Sequence, residues 1–272
     1  MSRLEKRFAD LKAAGKKGFV AYISAGDPDG ETSLEILKGL PGAGADIIEL
    51  GVPFTDPAAD GPSVQAAGQR ALAAGISMRK VLEMVRRFRE QDQTTPIVLM
   101  GYYNPIYIYG CEQFAQDAAT AGVDGLITVD LPPEEDAELR IPAQAAGLDI
   151  IRLTAPTTDD ARLPTVVSTA TGFIYHVSIT GITGTKSPTV ETLRPVIKRL
   201  RDHTDLPIAI GFGVNTPEQA RDIGALADAV VVGSAIVNAV LAKLDADGKA
   251  MPGLVDHVLA RVRELADGAH AA

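Results

Sequence analysis

Three carboxylates within one short segment are the residues whose types and spacing best suit chemistry. Glu49 stands inside an apolar run of the kind that forms a buried strand, where valine or isoleucine is usual. Pro53 ends that run because it has no N–H to donate, and the turn-rich loop that follows carries Asp56 and Asp60. Carboxyl groups placed in this way can act as general acids and bases. Two interpretations are open here: an active site, or a paired structural acid followed by ordinary turn residues.

The composition indicates a globular α/β protein. The chain has 272 residues, enough for one large domain or two small ones, and one (β/α)8 barrel typically takes about 250. Its 46% hydrophobic content and 26 glycines fit a fold in which many loops separate strands and helices. The net charge of −9 argues against binding to nucleic acid or to anionic membranes. It does not exclude a phosphorylated metabolite, because backbone N–H groups can bind phosphate.

Cysteine use and hydropathy predict where the protein works. The single cysteine, Cys111, rules out an internal disulfide and suits a reducing compartment. The first residues are charged and no apolar core follows them, so a signal peptide is not expected. The longest apolar stretch, 229–242, is too short to span a membrane. We therefore expect a cytoplasmic protein without a membrane segment.

Alternating strands and helices predict the fold. Eight apolar runs are each followed by a helical pattern, and they lie at 18–24, 46–51, 96–100, 125–129, 149–153, 172–177, 207–211 and 229–232. Such alternation indicates a parallel sheet. Eight units without a break in composition predict a (β/α)8 TIM barrel that occupies residues 1–272 as a single domain. An extra helix is predicted at the N-terminus, 3–14, and extra helices are predicted after the second strand and after the eighth.

Glycine-bearing loops after the sixth, seventh and eighth strands predict an anion site. The loop at 178–188 is long and rich in Gly, Thr and Ser, which suits a mobile lid or an ordinary solvated loop. After the seventh strand comes Gly213, and after the eighth Gly233 and Ser234 begin a helix. Backbone N–H groups and the helix dipole can hold phosphate there, where barrels usually bind it.

The remaining polar and aromatic residues have competing interpretations. Tyr175, near the end of the sixth strand, is either a ligand contact or a core tyrosine with a satisfied hydroxyl. His176 points to the opposite face and is interpreted as structural. The histidines lack metal-ligand spacing, so no metal site is predicted. Four tyrosines in 102–109, in the loop after the third strand, indicate a partner surface, a pocket wall or a local packing cluster.

The segment 49–62, Glu-Leu-Gly-Val-Pro-Phe-Thr-Asp-Pro-Ala-Ala-Asp-Gly-Pro, closely resembles the motif of tryptophan synthase alpha subunits. The resemblance covers essentially the whole chain and includes Gly-Tyr-Tyr-Asn-Pro at 101–105, Gly-Ile-Thr-Gly at 181–184, Gly-Phe-Gly-Val at 211–214 and Val-Gly-Ser-Ala at 232–235. It implies a lyase that cleaves indole-3-glycerol phosphate into indole and glyceraldehyde 3-phosphate, with no cofactor in this chain.

The resemblance also implies residue roles. Glu49 would protonate indole C3 and Asp60 would hydrogen-bond the indole N–H, and an apolar setting should raise the pKa of Glu49. Tyr22 and Tyr175 would line the indole pocket, and Thr183 on the lid would close over Asp60. The phosphate would be held by Gly184, Gly213, Gly233 and Ser234.

The resemblance further implies a beta-subunit partner that carries pyridoxal phosphate and receives indole, in an alpha2beta2 heterotetramer. The contact would come from the loops at 52–60 and 101–109, namely from Pro53, Asp56, Tyr103, Asn104 and Pro105. One departure concerns the lid: Ser178-Ile179-Thr180-Gly181 stands where many relatives have Ser-Arg-x-Gly. Lid closure without that arginine must use other contacts.

Two other functions remain open on the sequence. Another phosphate-binding barrel, such as a sugar-phosphate isomerase or indole-glycerol-phosphate synthase, would share the glycine loops but is not expected to share the 49–62 motif. The synthase would also need a catalytic lysine at a strand end, and none of the eight predicted strands holds one. A catalytically silent regulatory subunit that only binds the ligand is disfavoured because Glu49 and Asp60 are both present.

Overall fold

The computed structural model describes residues 1–178, 190–211 and 213–272. Its strands are β1 (Gly18–Ser24), β2 (Ile47–Gly51), β3 (Ile97–Gly101), β4 (Gly125–Thr128), β5 (Asp149–Ile150), β6 (Arg152–Thr154), β7 (Ile174–Val177), β8 (Ile208–Gly211) and β9 (Ala229–Val232). They form one parallel sheet in the order β5-β4-β3-β2-β1-β9-β8-β7-β6. The two ends of this order, β5 and β6, are consecutive along the chain, so the sheet curls into the predicted TIM barrel.

The fifth predicted strand differs from the prediction because it is divided. β5 pairs with β4 on one side, whereas β6 pairs with β7 on the other. Ile151 lies between them and still donates its N–H to the carbonyl of Leu126 at 3.0 Å. The predicted sixth, seventh and eighth strands are therefore β7, β8 and β9.

The helices of the described residues surround the barrel. They are α1 (Arg3–Ala13), α2 (Gly30–Gly39), α3 (Pro62–Ala73), α4 (Met78–Arg89), α5 (Tyr103–Tyr109), α6 (Cys111–Ala121), α7 (Ala137–Ala145), α8 (Leu163–Val167), α9 (Val190–Arg201), α10 (Pro217–Gly224), α11 (Ser234–Leu241) and α12 (Leu254–His270). The extra helices predicted at the N-terminus and after the second and eighth strands are confirmed as α1, α3 with α4, and α11 with α12. No helix among them is long and apolar enough to cross a membrane.

The tyrosine-rich run after β3 was predicted to be a loop, and that prediction is wrong. Residues 103–109 form the helix α5. Asp130 accepts a hydrogen bond from the Tyr103 N–H at 2.8 Å and so satisfies a donor in the first turn of α5. Gly110, with φ of 92°, ends α5 and lets α6 begin at the next residue.

The barrel interior is packed, and α1 covers its N-terminal end. Leu4 and Phe8 of α1 are buried against inward-facing strand residues, and the Phe8 and Phe173 rings lie 5.7 Å apart. The inward-facing cluster comprises Val20, Ile47, Val98, Ile127, Ile151, Phe173, Tyr175, Ala209, Ala229 and Val231. A larger apolar layer lies between the strands and the outer helices. The residues predicted to carry chemistry lie toward the opposite, C-terminal end of the strands, where barrels build their active sites.

Aspartates that precede strands accept hydrogen bonds from neighbouring strands at the N-terminal end of the sheet. Asp46 and Asp124 end the repeated Ala-Gly-x-Asp junctions, and they accept the backbone N–H of Phe19 at 2.9 Å and of Ile97 at 2.7 Å. Arg89 pairs with the same Asp124 carboxylate at 2.7 Å. These contacts tie neighbouring strands together and thereby fix the positions of the side chains at their far ends.

Candidate active site

One pocket at the C-terminal end of the barrel gathers most of the residues predicted for catalysis and substrate binding. Besides Glu49 and Asp60, it is lined by Tyr22, Tyr175, Gly213, Gly233 and Ser234. Its apolar wall comes from Val64, Met100, Val214 and Val231. Thr183 and Gly184 lie outside the described residues.

Glu49 projects from the middle of β2 into this pocket. The residue is only 1% exposed, and its Oε2 atom makes no hydrogen bond within the described part of the chain. Burial raises the pKa of Glu49 to about 8, and the negative charge of Asp60 contributes in the same direction. Glu49 is therefore protonated at neutral pH and has a proton that it can donate into the pocket.

Asp60 lies in the loop between β2 and α3. Burial raises its pKa to about 6, although a hydrogen bond from the Tyr102 hydroxyl opposes the shift. Gln65 supports the loop because its side-chain amide donates to the Asp60 carbonyl at 2.8 Å. At neutral pH the site thus combines an ionised Asp60 with a protonated Glu49, which is the separation that acid–base chemistry requires.

Two tyrosines form opposite parts of the pocket wall. Tyr22 is the register partner of Glu49 across β1 and β2, and its hydroxyl lies 3.1 Å from the Ser24 hydroxyl. Tyr175 projects inward from β7 and is 8% exposed. Burial raises the pKa of both hydroxyls, so both stay protonated and can serve as neutral hydrogen-bonding groups.

Two glycines and a helix N-terminus line the part of the pocket for which an anion site was predicted. Gly213 has φ of 86°, a conformation that L side chains rarely adopt. Gly233 immediately precedes α11, which begins at Ser234, so the N-terminus of this helix lies at the pocket. Backbone N–H groups and the positive end of the helix dipole suit a phosphate there.

The residues predicted to contact a partner follow β2 and β3 at the same end of the barrel. Asp56 and Asn104 are exposed, whereas Pro53, Tyr103 and Pro105 are partly buried. Their neighbours Tyr107 and Ile108 are 54% and 77% exposed, which is unusual for large apolar side chains. This end of the molecule therefore offers an exposed apolar surface beside the pocket.

Sequence reasoning missed two residues that lie behind the pocket lining and contact it. Ser24 contacts Tyr22, and Tyr102 contacts Asp60 and its neighbour Ala59. The tyrosine-rich run at 102–109 drew attention to Tyr102, but nothing in the sequence distinguished this buried tyrosine from the exposed tyrosines of the run.

The prediction that His176 is structural agrees with its surroundings. Its Nδ1 atom lies 3.0 Å from the Thr154 hydroxyl, and it is absent from the lining of the pocket. Burial lowers the pKa of His176 to about 4, so the ring is neutral. Among the described residues, no group of three or more His, Cys, Asp or Glu side chains is placed to hold a metal ion.

Comparisons with known proteins agree on one family. The family model described as tryptophan synthase alpha chain matches residues 8–269. The crystal structure of tryptophan synthase subunit alpha from Legionella pneumophila strain Paris is similar with a TM-score of 0.90 and 39% identity, over 98% of each chain. Tryptophan synthase from Mycobacterium tuberculosis in its aminoacrylate-bound form gives a TM-score of 0.87 and 33% identity, over 99% of this chain and 100% of that one. The structure of the same enzyme in space group F222 gives a TM-score of 0.89 and 34% identity, over 99% of this chain and 98% of that one.

Proposed function

Because the chain belongs to the tryptophan synthase alpha chain family, we propose that it is a lyase that cleaves indole-3-glycerol phosphate to indole and glyceraldehyde 3-phosphate. The observation that carries this proposal is the pairing of a protonated, buried Glu49 with an ionised Asp60 in one pocket. Retro-aldol cleavage needs an acid beside C3 of the indole ring and a negative charge beside the ring nitrogen.

The chemistry follows from these two protonation states. Glu49 donates its proton to indole C3, which breaks the aromaticity of the ring and leaves a cation centred on the ring nitrogen. Asp60 accepts a hydrogen bond from the N–H and stabilises that cation. The Glu49 carboxylate then accepts the proton of the hydroxyl on the carbon attached to C3. The bond from that carbon to C3 breaks, the electron pair returns to the indole ring, and the carbon becomes the aldehyde.

The rest of the pocket fits the other parts of the substrate. Tyr22, Tyr175 and the apolar wall suit the planar indole, and the proposed phosphate ligands are the backbone groups of Gly213, Gly233 and Ser234. By their place in the motif, Thr183 would close over Asp60 and Gly184 would join the phosphate ligands. None of these steps requires a cofactor in this chain.

We also propose that a beta subunit with pyridoxal phosphate docks beside the pocket, in an alpha2beta2 assembly, and receives the indole. The proposed contacts are Pro53, Asp56, Tyr103, Asn104 and Pro105, and the exposed side chains of Tyr107 and Ile108 support the choice of this surface. A single cysteine and a phosphorylated substrate suit a cytoplasmic location.

Indole release from indole-3-glycerol phosphate by the purified chain tests the proposal, with and without a beta subunit. Slow release that accelerates when the partner is added is the expected result. Binding of the substrate without release in either condition would instead support a silent regulatory subunit. Absence of binding would exclude indole-3-glycerol phosphate as the ligand of this pocket.

A further inference from the structure

Tyr102 interacts with two consecutive residues, Ala59 and Asp60, in the loop between β2 and α3. It follows β3, is 5% exposed and does not line the pocket. Its hydroxyl oxygen accepts the backbone N–H of Ala59 at 2.9 Å, and as a hydrogen-bond donor the same hydroxyl lowers the pKa of the adjacent Asp60 carboxyl. The hydroxyl therefore acts on two consecutive residues of the loop from another strand–helix connection.

The two hydrogen bonds of this hydroxyl have fixed directions. A backbone N–H can only donate, so the Tyr102 oxygen is the acceptor toward Ala59. An ionised carboxylate can only accept, so the single hydroxyl proton points to Asp60. The Tyr102 ring is held in turn by Phe54, whose centroid lies 5.3 Å away. The bond to Ala59 and the ring contact with Phe54 thus fix the Tyr102 hydroxyl beside the loop that carries Asp60.

We propose that Tyr102 is a positioning residue, which orients the Asp60 carboxylate toward the indole N–H and keeps it ionised during cleavage. This inference rests on the proposed function, because it assigns Tyr102 a part in the same site. A charge-assisted hydrogen bond from a phenol favours the ionised form of a carboxyl group. Because burial acts against the negative charge of Asp60, that bond helps to sustain it.

The test compares Tyr102→Phe with Tyr109→Phe. Tyr102→Phe keeps the ring against Phe54 and removes only the hydroxyl. Tyr109→Phe is the matched control, because it removes a hydroxyl that bonds Asp117 at 2.6 Å and does not act on Asp60. For each protein, kcat/KM for indole release is measured over about pH 5 to 9, and the Asp60 carboxyl carbon is titrated by NMR.

Loss of the hydroxyl should raise the pKa of Asp60, because the ionised form loses its donor. We expect the acidic limb of the Tyr102→Phe profile and the NMR titration to move up by about one pH unit, with turnover about tenfold lower. Tyr109→Phe should keep the wild-type limb. A Tyr102→Phe profile that is lower at every pH but has an unshifted acidic limb would show that Tyr102 only packs, and would overturn the proposal.

A second variant does not depend on how well Tyr102→Phe folds. Tyrosine fluorinated next to the hydroxyl, incorporated at position 102, keeps the ring and strengthens the donor, so the pKa of Asp60 should fall. An unchanged or raised value would contradict the proposal. The NMR titration needs no substrate. It therefore tests Tyr102 even if the wild-type chain releases no indole, a result that would reject the proposed function alone.

Discussion

The hydroxyl of Tyr22 occupies the space in which a side chain at Gly51 would begin. A Cβ atom added to Gly51 would lie 2.3 Å from the Tyr22 oxygen, well inside the distance at which atoms can pack. The relationship has a counterpart across the barrel, where a Cβ on Gly211 would lie 2.3 Å from the hydroxyl oxygen of Tyr175. Each glycine thus gives a tyrosine the room to lean over the neighbouring strand and form a wall of the pocket.

Gly51→Ala should displace Tyr22 and disturb the pocket. Overpacking of this kind typically costs about 1–3 kcal/mol, so the free energy of unfolding should fall and the KM for substrate should rise. Gly68→Ala is the control, because a Cβ added there meets no atom within 4 Å outside its own helix. Urea unfolding and steady-state kinetics of both variants check this. Equal stability of the two variants would mean that Tyr22 moves aside without cost.

Glu49→Gln should abolish cleavage while leaving ligand binding close to that of the wild type. The amide keeps the size of the side chain but is far too weak an acid to protonate carbon, and general acids contribute about 10²–10⁴-fold. Indole release and calorimetric binding of the substrate measure the two properties separately. A variant with normal turnover would require another acid in the pocket.

The rate of indole release should show a bell-shaped dependence on pH. Asp60 must be ionised, and its pKa of about 6 sets the acidic limb. Glu49 must be protonated, and its pKa of about 8 sets the basic limb. The rate of indole release at subsaturating substrate should therefore be greatest near neutral pH, between the two values. A profile that keeps rising above the Glu49 pKa would contradict the acid role.

Stability should also depend on the protonation of Glu49. Its pKa is raised on folding from 4.5 to about 8, so between these values the folded chain keeps a proton that the unfolded chain has released. Folding stability attributable to Glu49 therefore falls as pH rises through this window, by about 1.4 kcal/mol per unit, and levels off above the folded pKa. Glu49→Gln should not show this loss, so it should become more stable relative to the wild type as pH increases. Denaturant unfolding at several pH values tests this, and parallel curves for the two proteins would refute it.

Two bidentate arginine pairs should differ sharply in their contribution to stability. Arg70 binds both oxygens of Asp27 at 2.7 and 2.9 Å, and Asp27 is 4% exposed. Arg70→Ala leaves that carboxylate buried without its partner, which typically costs about 3–5 kcal/mol. Arg87→Ala breaks a geometrically similar pair with Glu31 in which both partners are exposed, so its effect should be far smaller. Thermal unfolding of both variants measures this difference in stability. Comparable losses of stability would show that burial of the carboxylate does not determine how much each ion pair contributes.

Local sequence patterns predicted the barrel because its strands are short apolar runs bounded by turn residues. β1 and β9 have the predicted bounds, since each is buried along its whole length. α5 was missed because Pro105 and the tyrosines suggest a loop, and the contact that satisfies its first turn comes from Asp130, 27 positions away. The burial of Glu49 and its raised pKa were predictable from the run around it. The contact between Tyr102 and Ala59 joins residues 43 positions apart, so no local pattern contains it.

The helix α1 also determines how a product can leave the pocket. Because Leu4 and Phe8 close the N-terminal end of the barrel and side chains fill its interior, the pocket is closed at the bottom and opens only at the C-terminal end. A small apolar product formed at Glu49 cannot leave downward and must exit through the rim, which is formed in part by the loop after β2 and by α5. Whatever protein covers that rim therefore controls whether the product escapes into solvent or is handed on.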